Sequence, residues 1–244
     1  MKDEVVLITG ASRGIGRAIA LECGRKGALV AVNYASSGDL ADQVVREIEE
    51  GGGRGQTFQA DVSDLKQIER LFDQVIARFG AIDILINNAG IMKNKPVDQV
   101  SEEEFDQIFS VNVKGLFFCC QQAVRKMNPG AKIINIGTSV TKVMLPNYST
   151  YAMSKGSVEQ LTRVLAKEVG SKGITVNAVS PGPTNTELFR QGKSDEQISI
   201  LGAMSAFNRI AEPEDIARAV AMLCSKEANW ISGQTIFVNG AFIG

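Results

Sequence analysis

Two rhythms alternate along the chain. Short, β-branched apolar runs fall at Val5–Thr9, Leu29–Asn33, Gln56–Ala60, Ile82–Asn87, Lys132–Gly137, Thr175–Val179 and Gln234–Val238. Helix-period segments occupy the intervals, at Arg17–Arg25, Asp39–Glu50, Leu65–Phe79, Glu102–Lys126, Tyr151–Gly170 and Pro213–Ser225. Strand–helix–strand repetition of this kind predicts an α/β fold: a doubly wound parallel sheet, its strands buried on both faces by helices. Residues 1–244 show no internal repeat, no low-complexity linker and no second core, so one domain is expected. Ser101-Glu102-Glu103-Glu104 fits a capping box that opens the fourth helix. The rhythm breaks over 184–207, where helical signals are weak and Gly192 and Gly202 intervene, and this stretch is expected to form a mobile lid.

The first strand runs into Thr9-Gly10-Ala11-Ser12-Arg13-Gly14-Ile15-Gly16. Glycines at 10, 14 and 16 allow a tight turn and a close approach to a pyrophosphate at the N-terminus of the next helix, although the spacing is GxxxGxG rather than GxGxxG. Gly10 to Gly14 also satisfies GxSxG, the nucleophile elbow of hydrolases. The second strand ends in Tyr34-Ala35-Ser36-Ser37 without a carboxylate before Asp39. An acidic residue there would hold a ribose 2′-hydroxyl and repel a 2′-phosphate; its absence, with Arg13 in the turn, favours NADP(H) over NAD(H). Asp61-Val62 and Asn88-Ala89-Gly90 follow the third and fourth strands, at the carboxyl ends where open sheets bind ligands.

Composition narrows the chemistry through one absence. The chain has no histidine, which removes every His-based triad, the hydrolase reading with them, and leaves only Cys, Asp and Glu for a metal; no metal site is expected. Ser63-Asp64-Leu65-Lys66 matches SxxK but lacks companion motifs and reads as a helix start. The formal net charge of −1 gives no reason to expect nucleic acid or an anionic membrane as partner. No apolar run approaches the ~20 residues needed to cross a bilayer, and the charged N-terminus shows no signal peptide. Cys23, Cys119, Cys120 and Cys224 have no CxxC spacing and are expected to be reduced, buried thiols of a cytoplasmic protein.

Proton transfer therefore falls to Tyr, Lys or a carboxylate. Tyr151 and Lys155 stand one helical turn apart on one face, and a phenol beside an ammonium is a proton donor whose acidity the cation can raise. Asn112 sits in an apolar helical stretch, where an amide needs partners. The fifth strand delivers Gly137-Thr138-Ser139 just before the loop to Tyr151.

Together these pieces, with Pro181-Gly182, resemble the short-chain dehydrogenase/reductase family from Val5 to the C-terminus, and within it the 3-oxoacyl-(acyl-carrier-protein) reductase type. The resemblance implies a Rossmann-like domain with a seven-stranded parallel sheet and a homotetramer. It implies a catalytic tetrad of Asn112, Ser139, Tyr151 and Lys155, with Tyr151 protonating the developing alkoxide, Ser139 bonding the same oxygen, Lys155 acidifying Tyr151 and holding the nicotinamide ribose, and Asn112 positioning a water. It extends the cofactor contacts to Pro181, Gly182 and Thr184. Ser139 lies 12 positions before Tyr151 and Thr138 lies 13, the commoner family spacing, so Thr138 competes for the oxyanion role. Ala241 replaces a common glycine, with an effect expected on packing only. A 3-oxoacyl thioester (carrier-protein- or CoA-bound) or a medium-sized ketone is the expected substrate, with Met144, Leu145, Met153 and Phe189 as candidate pocket residues; sugar or polyol oxidation and a non-catalytic NADP-binding sensor are the alternatives. Arg125, Lys126 and Lys172 read as solvated cations rather than a carrier-protein dock.

Overall fold

A computed structural model describes residues 1–243. Seven parallel strands are joined mostly through helices. They are β1 (Val5–Ile8), β2 (Leu29–Tyr34), β3 (Arg54–Gln59), β4 (Ile84–Asn87), β5 (Lys132–Ile136), β6 (Thr175–Pro181) and β7 (Thr235–Val238). The helices are α1 (Gly14–Arg25), α2 (Gly38–Glu50), α3 (Leu65–Phe79), α4 (Glu102–Phe109), α5 (Leu116–Lys126), α6 (Ser149–Val169), α7 (Glu187–Arg190), α8 (Asp195–Ala203) and α9 (Pro213–Leu223). The sheet order is β3-β2-β1-β4-β5-β6-β7. The order reverses between β1 and β4, and there the strand ends splay to leave a crevice.

Strand alternation builds the core on both faces. Val5 and Leu7 pack with Leu71, Phe72 and Ile133 on one side, while Val6 and Ile8 pack with Ile19, Val44 and Ile216 on the other. The four cysteines are buried thiols, as their spacing implied. Ser101 forms the expected capping box with Glu104, and Asp64 caps α3 by accepting from the Lys66 and Gln67 amides.

The fourth helix departs from expectation. The segment 102–126 is not one helix: α4 and α5 are separated by a six-residue π turn, Ser110–Gly115. A Cβ on Gly115 would lie 2.5 Å from the Val62 carbonyl oxygen, so the widened turn lets the backbone approach the loop after β3. The break in rhythm at 184–207 is also more structured than its sequence suggests. Thr186 caps α7 and Ser194 caps α8, and an isolated bridge between Thr184 and Ala211 closes the segment at its base.

Candidate active site

The carboxyl ends of the strands open into a cavity of about 840 Å³. Gly10, Ser12, Arg13, Gly14 and Ile15 line one end, with Tyr34, Ser36, Asp61 and Val62 beside them. Asn88, Ala89, Gly90, Tyr151, Lys155, Pro181, Gly182 and Thr184 continue the wall. Gly16, expected among the cofactor contacts, is not on this surface. A Cβ there would lie 2.4 Å from the Gly10 carbonyl oxygen and from the Asn88 amide nitrogen, so its role is close packing. Asn88 donates to the carbonyls of Thr9 (3.0 Å) and Gly10 (2.8 Å), and the Thr9 hydroxyl accepts the amides of Asn88 and Ala89. The glycine turn and the β4 loop are thereby held as one rigid floor.

This floor fits a dinucleotide. Arg13 precedes α1 without a side-chain cap, and no acidic residue occupies the first turn. Orphan backbone amides at such an end attract a phosphate. Gly10 and Gly14 hold φ of +62° and +56°, a left-handed conformation that favours glycine, and a Cβ on Gly10 would meet Ala89 Cα at 2.9 Å. Asn33, next to Tyr34 on β2, is internal: it donates to the Phe58 and Ala60 carbonyls and accepts the Gly10 amide. Arg13 reaches Glu187, 3.4 Å away at the start of α7, an exposed and correspondingly weak pair.

The α6 helix places Tyr151 and Lys155 on the cavity wall. Lys155 Nζ donates to the Ile136 carbonyl at 2.7 Å, and burial lowers its pKa to about 8. Burial also pushes the Tyr151 phenol up to about 12, opposed by the nearby Thr138 hydroxyl. The acidification of Tyr151 by the ammonium, expected from spacing, is therefore not its dominant influence; desolvation is.

The two neighbouring hydroxyls at the end of β5 diverge. Thr138 meets Tyr151, whereas the Ser139 hydroxyl donates to the Ser180 carbonyl (3.3 Å) and accepts from Asn239 Nδ2 (3.3 Å). Ser139 still borders the cavity, but its bonds point back towards β6 and β7. Asn112 is fully buried in the π turn and off the cavity surface. Its amide donates to Ile91 O (2.9 Å) and Ser154 Oγ (3.0 Å) and accepts from Ile91 N (2.9 Å). Gly90 stands between it and Lys155: a Cβ on Gly90 would lie 3.3 Å from Asn112 Oδ1 and 3.5 Å from Lys155 Nζ.

Leu145 and Phe189 line the cavity as expected, but Met144 and Met153 point outward, 99% and 58% exposed. Met92, Val140 and Tyr148 join the wall without a sequence signal. Tyr148 packs edge-on to Tyr151 with ring centroids 6.5 Å apart. Lys126 pairs with Asp73 at 2.6 Å and Lys172 donates to the Val124 carbonyl, both away from the cavity. No group of three or more metal-ligating side chains occurs among the described residues, and no helix among them is long and apolar enough to cross a membrane.

A dinucleotide floor, a phenol and a buried amine on one wall define an oxidoreductase site. The family model for "Enoyl-(Acyl carrier protein) reductase" matches residues 10–242. Short chain dehydrogenase/reductase AacuN of Aspergillus aculeatus is 41% identical, over 98% of this chain and 96% of its own. Versicolorin reductase stcU of Emericella nidulans is also 41% identical, over 98% and 96%. Among solved structures, the angucycline C-6 ketoreductase LanV with bound NADP has a TM-score of 0.92 at 41% identity, covering 98% of this chain and 95% of that one. A dehydrogenase/reductase from Sinorhizobium meliloti 1021 has a TM-score of 0.96 at 33% identity, covering 100% and 96%. The chain belongs to the short-chain dehydrogenase/reductase family.

Proposed function

We propose that the protein is an NADP(H)-dependent ketoreductase that interconverts a ketone and a secondary alcohol on an uncharged small molecule. The observation that carries this reading is the convergence of the Tyr151 and Thr138 hydroxyls on the wall of a cavity that begins at the glycine turn. The similar ketoreductase LanV, bound to NADP, and the similar reductase LugOII, described as catalysing keto-reduction, support it. The charged side chains on the cavity wall are Arg13, Asp61, Lys155 and Glu187. Arg13 and Asp61 belong to the glycine-turn end, Lys155 is tied to Ile136, and Glu187 is acidic. Beside Tyr151 the walls are Met92, Val140, Leu145, Tyr148 and Phe189, which suit an apolar ketone better than the phosphates of a carrier-bound thioester.

The residues present divide the work. The amides opening α1 hold the pyrophosphate, and Arg13, Tyr34 and Ser36 receive the 2′-phosphate, unopposed by any carboxylate between Tyr34 and Ser37. NADPH, when bound, supplies the hydride. Tyr151 donates its proton to the oxygen of the reacting carbonyl, a step that a phenol held neutral by burial can perform at physiological pH. Thr138 hydrogen-bonds the same oxygen and steadies its developing charge. Lys155 has three N–H donors, one of them engaged by Ile136, and the others would be available to hold the nicotinamide ribose. Asn112 fixes the β4 loop through Ile91. The segment 184–207 closes over the bound pair as a lid, since Thr184, Glu187, Leu188, Phe189 and Leu201 already line the cavity.

The test follows NADPH absorbance with apolar cyclic ketones, acetoacetyl thioesters and sugars. Turnover is expected with the ketones; preference for thioesters or sugars overturns the substrate reading. The same assay with NADH at equal concentration overturns the cofactor reading if NADH is preferred. Trypsin cleavage at Arg190 and Lys193 should slow when NADPH is present, and unchanged cleavage would remove the lid.

A further inference from the structure

The α6 helix carries a third functional-looking side chain below Tyr151 and Lys155. Glu159 lies one turn beyond Lys155, and its carboxylate is buried, 5% exposed. A buried carboxylate needs hydrogen-bond donors, and those present come from the turn that follows β5. Thr141 Oγ1 contacts Glu159 Oε1 at short range, and Lys142 Nζ lies 3.9 Å from Oε2. Thr141 Oγ1 is also 3.0 Å from the Thr138 carbonyl.

Thr138 itself caps that turn. Its hydroxyl oxygen accepts the Val140 amide at 3.3 Å, so the place of the oxygen follows the place of the 3-10 turn Ser139–Lys142. Successive turns of α6 thus pin two points of the β5 exit, Lys155 at the Ile136 carbonyl and Glu159 at the Thr141 hydroxyl, while Tyr151 and Thr138 share the cavity wall above them.

We infer that Glu159 is a positioning residue, holding Thr141 and the turn after β5 so that the Thr138 hydroxyl stays aimed at the reacting oxygen. It touches neither cofactor nor substrate and is absent from the cavity wall. The inference rests on the ketoreductase reading for its kinetic consequence, but its geometric consequence does not. A hydroxyl displaced by about 1 Å loses transition-state stabilisation without weakening cofactor binding.

Three variants test it. Thr141→Val and Glu159→Ala should each lower kcat by about tenfold or more, with NADPH affinity by fluorescence titration unchanged within about twofold. Glu159→Gln retains a hydrogen-bonding partner for Thr141 and should restore kcat to within about threefold of the parent. Crystal structures of Thr141→Val and Glu159→Ala should show the turn and the Thr138 hydroxyl displaced from Tyr151. An undisplaced Thr138, or a kcat for Thr141→Val within about twofold of the parent, overturns the role. If Glu159→Ala does not fold, Thr141→Val alone decides. A parent protein without ketone turnover, combined with displaced Thr138 in the variants, would sink the ketoreductase reading and leave the positioning contact standing.

Discussion

Thr138 and Ser139 differ in what the backbone does with them. Thr138 leaves β5 in an extended conformation, φ −163° and ψ 148°, where successive side chains face opposite ways. Thr138 therefore meets Tyr151 while Ser139 turns to Ser180 and Asn239. Sequence offers two adjacent hydroxyls and a spacing argument; only the strand exit separates them. Thr138→Val should lower kcat by about 10² while Thr138→Ser stays near the parent. Ser139→Ala should cost less than about threefold in kcat. Steady-state kinetics on one ketone decides the order, and a larger loss for Ser139→Ala would return the role to Ser139. Lys155 makes a second prediction. Its pKa falls from 10.5 to about 8, so between those values the unfolded chain binds more protons than the folded one. Stability then rises as pH climbs from about 8 towards 10.5, by an amount on the order of 3 kcal/mol across the window. Measured between pH 7 and 9.5, the melting temperature of the parent should gain on that of Lys155→Met; parallel curves would contradict the assignment. Ala241 holds φ of +56°, a left-handed conformation costly for a residue with a Cβ. Its effect is thus backbone strain rather than packing alone, and Ala241→Gly should stabilise the fold by about 1 kcal/mol, raising Tm by roughly 2–4 °C.

At the scale of elements, the periods of two and of about 3.6 residues were enough to place every strand and most helices. They failed where period and geometry part. The apolar spacing of 102–126 continues across Ser110–Gly115, so it reads as one helix even though the backbone widens there into a π turn. A signal was present in two residues: an asparagine in an apolar stretch and a glycine three positions later. Asn112 uses the turn to clamp Ile91, and Gly115 uses it to approach Val62. Such turns concentrate at functional sites, and this one supports the loop of Asn88, Ala89 and Gly90. Gly115→Ala would press a methyl group against the Val62 carbonyl and should destabilise by about 1–3 kcal/mol, visible as a lowered midpoint in urea at constant slope. Met144 and Met153 illustrate the opposite failure. Their distance along the chain from Tyr151 is short, but neither loop register nor helix phase turns them inward.

The whole molecule was legible because the central strands β1, β2 and β4 are buried on both sides and announce themselves as apolar runs, whereas the edge strand β3, with Arg54, Gln56 and Gln59, is largely polar. Assembly is different: surfaces that meet another chain look, in sequence, like helix faces of a monomer. The structure leaves Phe105 (37%) and Phe117 (46%) exposed on α4 and α5, with Val164 on α6, and Met222 and fully exposed Trp230 near α9. Exposed aromatic side chains on two separate regions are more than scattered surface apolarity requires, and they suit contact with further copies. We propose a tetramer built through both regions. Light scattering behind size exclusion should give four times the 26.2 kDa chain mass. Phe117→Asp should leave a smaller species, because a carboxylate placed in a desolvated contact lacks a partner. Trp230→Asp should do the same through the other region, and combining the two substitutions should give monomers. A parent protein that is monomeric at micromolar concentration would leave these side chains without that role.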